Sequence, residues 1–324
     1  VTTVSVALAT YNGARYVGEQ VRSILAEAPA ELVVADDGST DDTLALVRAI
    51  AAHHPVTSLV VLGPEARPLG VAGNFARAVA ATHGDLVALS DQDDRWHEGR
   101  LAALRARFEA EPDVLLIHHD AALIDGSGQP IGSTLLEWLR VGVGERRLLT
   151  SADAFAASIR RNTATGATVV FRRELAEIAG PIGEGWIHDE WWAILAGALG
   201  AARLDERALI DYRQHDANEI GVARPTPAYL VRRMLAPRGD RYGWLARRSA
   251  ALVDRLEALR AQGTVIDERW LALARRKAEF ERSRAEYPAS RLARVRPVWR
   301  NRRQYADLSS QGRLDIVRDL MHGA

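Results

Sequence analysis

Three carboxylates fall within four positions at Asp91-Gln92-Asp93-Asp94. Acids this close repel one another unless a cation or solvent relieves the charge. They follow the apolar run Leu86-Val87-Ala88-Leu89 after Ser90, and this place at the end of a buried strand favours a site over the solvated acidic turn that the spacing also fits. A Mg²⁺ or Mn²⁺ bound there would bridge to phosphate oxygens and offset leaving-group charge. A second acidic stretch, Asp36-Asp37-Gly38-Ser39-Thr40-Asp41, ends another apolar strand and opens a helix. A Ser39 or Thr40 helix cap accounts for the hydroxyls but not for the adjacent acids. Carboxylates at such a strand end accept hydrogen bonds from a base or ribose. A third group, His188-Asp189-Glu190-Trp191-Trp192, sets acids beside indoles at a helix start. The helix dipole explains one acid. A partly dry, indole-lined setting would also raise a carboxylate towards the pKa of a useful general base. The fourth, Tyr212-Arg213-Gln214-His215-Asp216-Ala217-Asn218, supplies an imidazole that can join Asp93 on a metal.

The elements that must position these groups alternate. Strands are predicted at Val4–Ala9, Glu31–Ala35, Ser58–Leu62 and Leu86–Leu89. Helices are predicted between and after them, at Tyr16–Ala26, Thr40–Ala52, Ala72–Thr82 and Leu101–Glu109. This alternation argues for an α/β fold in which a mainly parallel sheet is flanked by helices and ligands bind at the carboxyl ends of its strands. Thr10-Tyr11-Asn12-Gly13 and both acidic clusters fall there. A strand near Val114–His118 precedes a turn at Asp125-Gly126-Ser127-Gly128, and residues 132–150 read as a Gly-rich irregular loop. Strands at Ala167–Arg172 and Ala208–Tyr212 bracket a helix at Asp189–Leu199. Pro225 and Pro227 mark a boundary, dividing a catalytic domain (1–224) from a helical C-terminal region (225–324). In that region Tyr229–Leu235, Tyr242–Gln262, Asp267–Tyr287 and Asp315–Met321 read as helices.

The 324 residues suffice for one domain with an appendage. No cysteine occurs, which removes disulfides and thiolate chemistry and leaves any metal to carboxylates and imidazoles. The longest apolar run, Trp191–Ala202, is about 12 residues, short of the ~20 needed to span a bilayer. No basic, apolar leader is visible at Val1–Val6, and the expected location is cytoplasmic.

Taken in order, these segments resemble family 2 of the glycosyltransferases, whose catalytic domain has the Rossmann-like GT-A fold. Val4–Gly13 resembles the first strand and turn of the family, and Asp36–Asp41 its second strand end. Gly70-Val71-Ala72-Gly73-Asn74-Phe75 resembles the segment before the metal motif, and Ser90–Trp96 the metal motif itself. His188-Asp189 with its tryptophans, then Tyr212–His215 and Asn218, resemble the bacterial rhamnosyltransferase-like branch. The resemblance covers about residues 1–222. It implies an inverting transfer of rhamnose or another hexose from a dTDP- or UDP-sugar to a hydroxyl of a glycan or lipid-linked acceptor, with Mg²⁺ or Mn²⁺ as cofactor. In that reading Thr10, Tyr11, Asp36 and Asp37 hold the base, Asp91 the ribose, and Asn12, Asn74 and Gln92 lie along the nucleotide. Trp96 lies near the donor sugar, Asp93 and His215 hold the metal, and Asp189 is the catalytic base. Many branch members have an aromatic residue directly after that aspartate; Glu190 stands there instead, which leaves Glu190 as the alternative base.

Two other functions remain as rivals. A nucleotidyltransferase would normally show a Gly-rich, basic phosphate loop near the first strand, where Thr10–Arg15 stands. A binding scaffold without turnover is not favoured while Asp93, Asp189 and His215 are all present. Residues 225–324 carry about 22 Lys+Arg against about 11 Asp+Glu. They read either as solvated helices packed on the catalytic domain or as a peripheral contact with an anionic membrane, at the inner face of the plasma membrane. No nucleic-acid-binding motif accompanies the arginines, so nucleic acid is not an expected partner.

Overall fold

The computed structural model describes residues 2–215 and 239–321. Pro225, Pro227, Asn218, the Tyr229–Leu235 segment and the 224/225 boundary lie outside the described residues.

Four short apolar strands, β1 (Val4–Thr10), β2 (Glu31–Asp36), β3 (Ser58–Leu62) and β4 (Leu86–Ser90), pair in parallel in the order β3-β2-β1-β4. Helices α1 (Val17–Ala26), α2 (Thr43–Ala51) and α3 (Gly70–Ala80) connect them. A parallel sheet is covered on both faces, which is why these strands read as continuous Val/Leu/Ala runs with almost no alternation. Their side chains feed two cores on opposite sides. Val6, Leu8, Leu32 and Val34 enter one, and Ala7, Val33, Val87 and Leu89 the other.

Beyond β4 the sheet becomes mixed. β5 (Arg95–Trp96), β6 (Leu116–Asp125), β7 (Pro130–Thr134), β8 (Val169–Arg172) and β9 (Ala202–Gln214) extend it as β4-β8-β6-β9-β5, with β7 paired to β6. β8 runs antiparallel to both β4 and β6, β6 and β9 are parallel, and β5 is antiparallel to β9. Helix α4 (Arg100–Ala110) leads into β6. The loop expected over 132–150 is instead built of β7, α5 (Leu135–Trp138) and α6 (Val143–Leu149). A capping box starts α5: the Glu137 amide donates to Thr134 Oγ1, and the Thr134 amide donates to Glu137 Oε2. The strand expected at Ala208–Tyr212 begins at Ala202, its apolar signal interrupted by Arg203, Asp205, Glu206 and Arg207. Helices α7 (Ala154–Ser158), α8 (Glu174–Ala179) and α9 (His188–Ala198) complete this part.

The C-terminal helices are α10 (Arg241–Ala261), α11 (Glu268–Ala285), α12 (Arg291–Arg300), α13 (Arg302–Leu308) and α14 (Leu314–Met321). Leu252, Leu256 and Leu259 of α10 and Trp270, Leu271 and Ala274 of α11 share one core with Phe155, Trp191 and Trp192. The basic region is therefore packed on the sheet domain through apolar contacts. Its far end is held by a buried polar network. Arg284 donates to both oxygens of Asp319 at 2.7 and 2.9 Å and to Glu281 at 2.9 Å, while Lys277 donates to Glu281 at 2.7 Å.

Removing one member of such a network strands the others in a dry interior. Arg284→Ala is expected to destabilise the protein by about 3 kcal/mol, read as a lowered urea midpoint. An unchanged midpoint would show that the network contributes nothing to stability.

Candidate active site

The carboxyl ends of β1, β2 and β4 open into a cleft of about 1020 Å³, closed on its far side by α9 and the end of β9. Thr10, Tyr11, Asn12, Asp37, Asn74, Asp91, Gln92, Asp93, Asp189 and His215, all singled out in the sequence, line it. Asp36, Trp96 and Glu190 do not.

The three outside the lining have other partners. Asp36 is buried and accepts from Thr10 Oγ1 (2.7 Å), Ser39 Oγ (2.6 Å) and the Gly38 and Ser39 amides. It shapes the loop, and Asp37 faces the cleft in its place. Trp96 is buried in the core beneath the Arg100 guanidinium, 3.8 Å from its ring centre. Glu190 pairs with Arg248 of α10 at 2.8 Å. That arginine is stacked on Trp186 at 3.8 Å and on Trp244 at 4.9 Å.

At the ends of β1 and β2, backbone and side chains form a fixed lattice. The Gln92 amide clamps Tyr11, accepting from its N–H at 2.9 Å and donating to its carbonyl at 3.0 Å. Gly13 passes so close to that amide that a Cβ there would overlap it. The clamp leaves the Tyr11 ring 55 % exposed, a platform onto which a flat base can stack. Asn12, at φ 45°, accepts from the Thr40 amide at 2.8 Å. Asp37 accepts from the Leu69 and Gly70 amides at 2.8 and 2.9 Å, which ties it to the start of α3. Asn74 donates to the Ala35 carbonyl at 2.8 Å.

The acidic loop is the electrostatic centre. Burial, then repulsion from Asp93 and Asp189, pushes Asp91 up to about 8. Asp94 is fully buried and raised well above the carboxylate range by burial and by its two acidic neighbours. Its Oδ1 accepts from the Arg213 amide at 3.0 Å. Arg213 in turn donates to the Asp93 carbonyl at 2.7 Å and to Glu19 at 2.6 Å. His215 Nε2 lies 2.8 Å from Asp93 Oδ2, with its ring stacked on Tyr16 at 4.8 Å.

Among the described residues no three His, Asp or Glu side chains converge tightly enough to enclose a metal. That suits an ion which keeps water and takes phosphate oxygens, as Mg²⁺ does, better than a closed protein cage. Asp93 and His215 supply a hard oxygen and an imidazole nitrogen, and the crowded acids give a cation something to neutralise.

Burial and the neighbouring Glu190 raise Asp189 to about 7. His188 is held neutral, its pKa pushed down to about 3 by burial, and it stacks on Phe75 at 4.1 Å. Both its ring nitrogens lack a hydrogen-bond partner among the described residues. Tyr16, His188 and Arg213 are site residues to which the sequence assigns no role. The His188 signal was its adjacency to Asp189; those of Tyr16 and Arg213 are contacts made only in the fold.

The sequence model of the family described as glycosyl transferase family 2 matches residues 5–178, over half of the chain. The chain belongs to glycosyl transferase family 2. An uncharacterized glycosyltransferase of Nostoc sp. is 26% identical over 226 residues, 66% of each chain. A dTDP-rhamnosyl transferase of Shigella flexneri is 32% identical over 100 residues, 29% of this chain and 34% of its own. The chain spans between about half and two thirds of the length of the curated relatives that it matches over the longest stretches. Among solved structures, Staphylococcus aureus TarS in complex with UDP-GlcNAc aligns at a TM-score of 0.58 and 14% identity, over 98% of this chain and 90% of that one. The mannosyltransferase PcManGT of Pyrobaculum calidifontis, in complex with GDP-Man and Mn²⁺, aligns at 0.51 and 20%, over 93% and 75%. These likenesses show that this glycosyltransferase has the GT-A fold.

The raised Asp189 has a consequence for stability. Between its unfolded value of 3.8 and its folded value of about 7, the folded state holds a proton that the unfolded state releases. Stability therefore falls as pH rises through that window and is level above it. In Asp189→Asn that slope disappears, so its stability relative to the parent is expected to rise by a few kcal/mol between about pH 4 and about pH 8. Urea midpoints at the two pH values check this; a constant difference would refute it.

Proposed function

We propose that this family 2 enzyme is an inverting, metal-dependent glycosyltransferase. It moves rhamnose or another hexose from a dTDP- or UDP-sugar to a hydroxyl of a glycan or lipid-linked acceptor. The observation that carries this reading is that Asp189 lines the same cleft as Asp91 and Asp93 and lies near enough to Asp91 to help raise its pKa. A donor between them would present its anomeric carbon to an acceptor on one side and its diphosphate to the acidic loop on the other.

Tyr11 stacks on the base, with Thr10 and Asp37 at its edge, and Asp91 accepts from the ribose. Asn12, Asn74 and Gln92 keep the nucleotide wall in shape. Asp93 and His215 hold the Mg²⁺ or Mn²⁺. That ion, when bound, offsets charge on the departing nucleoside diphosphate. Asp189 takes the proton of the acceptor hydroxyl as its oxygen bonds to the anomeric carbon and the bond from that carbon to the phosphate oxygen breaks. A carboxylate with a pKa near 7 is suited to that transfer at neutral pH. Glu190, engaged by Arg248, is the weaker candidate. His188 is placed to exchange a hydrogen bond with a substrate hydroxyl through a ring nitrogen that lacks another partner among the described residues. The dTDP-rhamnosyl transferase relative supports rhamnose among the donors.

Asp189→Asn is expected to lower kcat by about 10²–10⁴-fold while donor affinity holds, measured by transfer assay and calorimetric titration. Glu190→Gln should keep most activity; the opposite pattern would move the base to Glu190. With the parent, release of nucleoside diphosphate from the donor should stop on chelation and return with Mn²⁺. Release that is indifferent to chelator would rule out the metal.

A further inference from the structure

Two C-terminal helices carry an outward apolar stripe in addition to the apolar side chains, Val298 on α12 and Ile316 and Leu320 on α14, that they pack inward. On α12, Arg294 is 1 % exposed and faces the protein, whereas Leu292, Val295 and Trp299 are 87 %, 52 % and 67 % exposed. On α14, Asp315, Arg318 and Asp319 are buried while Leu314, Val317 and Met321 are exposed. Both apolar sets follow the i, i+3, i+7 spacing of a single helix face. Burial against water drives such side chains inward, so two outward stripes need another partner.

The charges beside the α12 stripe say which. At 100° per residue, Arg291 lies on one flank of Leu292, Val295 and Trp299, and Arg296 and Arg300 lie on the other. These three and Arg303 are exposed and form no ion pair among the described residues. No acid occurs between Glu286 and Asp307. Arg302 stacks on Trp299, its guanidinium 4.8 Å from the ring centre. An apolar stripe with an interfacial tryptophan between rows of such arginines is the pattern of a helix lying in the surface of an anionic bilayer. A second copy of the chain fits poorly, because a two-fold contact on this face would set the arginine rows against each other. Nucleic acid would leave the apolar stripe without a use.

We propose that α12 seats the enzyme on an anionic lipid surface. Leu292, Val295 and Trp299 enter the acyl boundary, and Arg291, Arg296, Arg300 and Arg303 pair with lipid phosphates. The face is independent of the transfer chemistry, and no helix among the described residues is long and apolar enough to cross a membrane.

The test is co-sedimentation of the whole chain with vesicles of phosphatidylcholine, with and without phosphatidylglycerol. The parent is expected to pellet with the anionic vesicles and not with the neutral ones. The triple variant Leu292→Ser, Val295→Ser, Trp299→Ser should lose at least about tenfold in partitioning. Replacing Arg291, Arg296, Arg300 and Arg303 by Gln should abolish the preference for anionic lipid. Both variants should keep the parent's thermal midpoint and its rate of donor hydrolysis. A parent that stays in the supernatant, or a triple variant that pellets as the parent does, overturns the proposal. So does light scattering that finds a dimer which the triple substitution splits. A parent that binds vesicles but does not hydrolyse donor would overturn the catalytic reading alone.

Discussion

Carboxyl groups crowded at a strand end cannot all ionise, and their loop must be held from inside the protein if they are to face a ligand outside it. Asp91, Asp93 and Asp94 follow β4 directly, and Asp94 has no access to water. The loop is fixed by Arg213, itself buried, which donates to the Asp93 carbonyl and to Glu19 and lies over the Tyr16 ring at 4.8 Å. Its backbone amide serves Asp94. One guanidinium thus joins β9, α1 and the acidic loop, and fixes where the chain goes next. His215, two residues on, arrives against Asp93.

The parallel half of the sheet was legible because its strands are covered on both faces, fully for β2 and β4 and partly for the edge strand β3, and are therefore spelled by apolar runs. The other half was legible in part. The strands expected at Val114–His118, Ala167–Arg172 and Ala208–Tyr212 are present as β6, β8 and β9, while the full length of β6 and β9, and all of β5 and β7, were not read. β6 continues past His118 through His119 and Asp120, buried polar residues that no hydrophobic pattern flags. They are tolerated because Arg100 donates to His119 and because Asp120 accepts from the Ala121 and Leu136 amides. α5 is too short to show a helical period, and its one local signal was the Thr134–Glu137 capping box.

In the site, the acids at strand ends could be read from sequence because their position on the fold follows from the strands. The division of labour between neighbours could not. Asp36 and Asp37 differ in which way the chain turns, and Trp96 packs into the core under Arg100, the first residue of the next helix. Asp189 and Glu190 are separated by a partner 58 residues away in sequence. Such contacts carry no local signature.

The Arg248 contact also bears on how the protein can be divided. A fragment ending near residue 215 would contain every described residue that lines the cleft. It would lack Trp244 and Arg248, and with them the only cation paired to Glu190 among the described residues. A second carboxylate would then stand unopposed beside Asp189. Such a fragment would also uncover the face of Phe155, Trp191 and Trp192 that α10 and α11 cover, so the electrostatic setting of Asp189 would not be that of the whole chain.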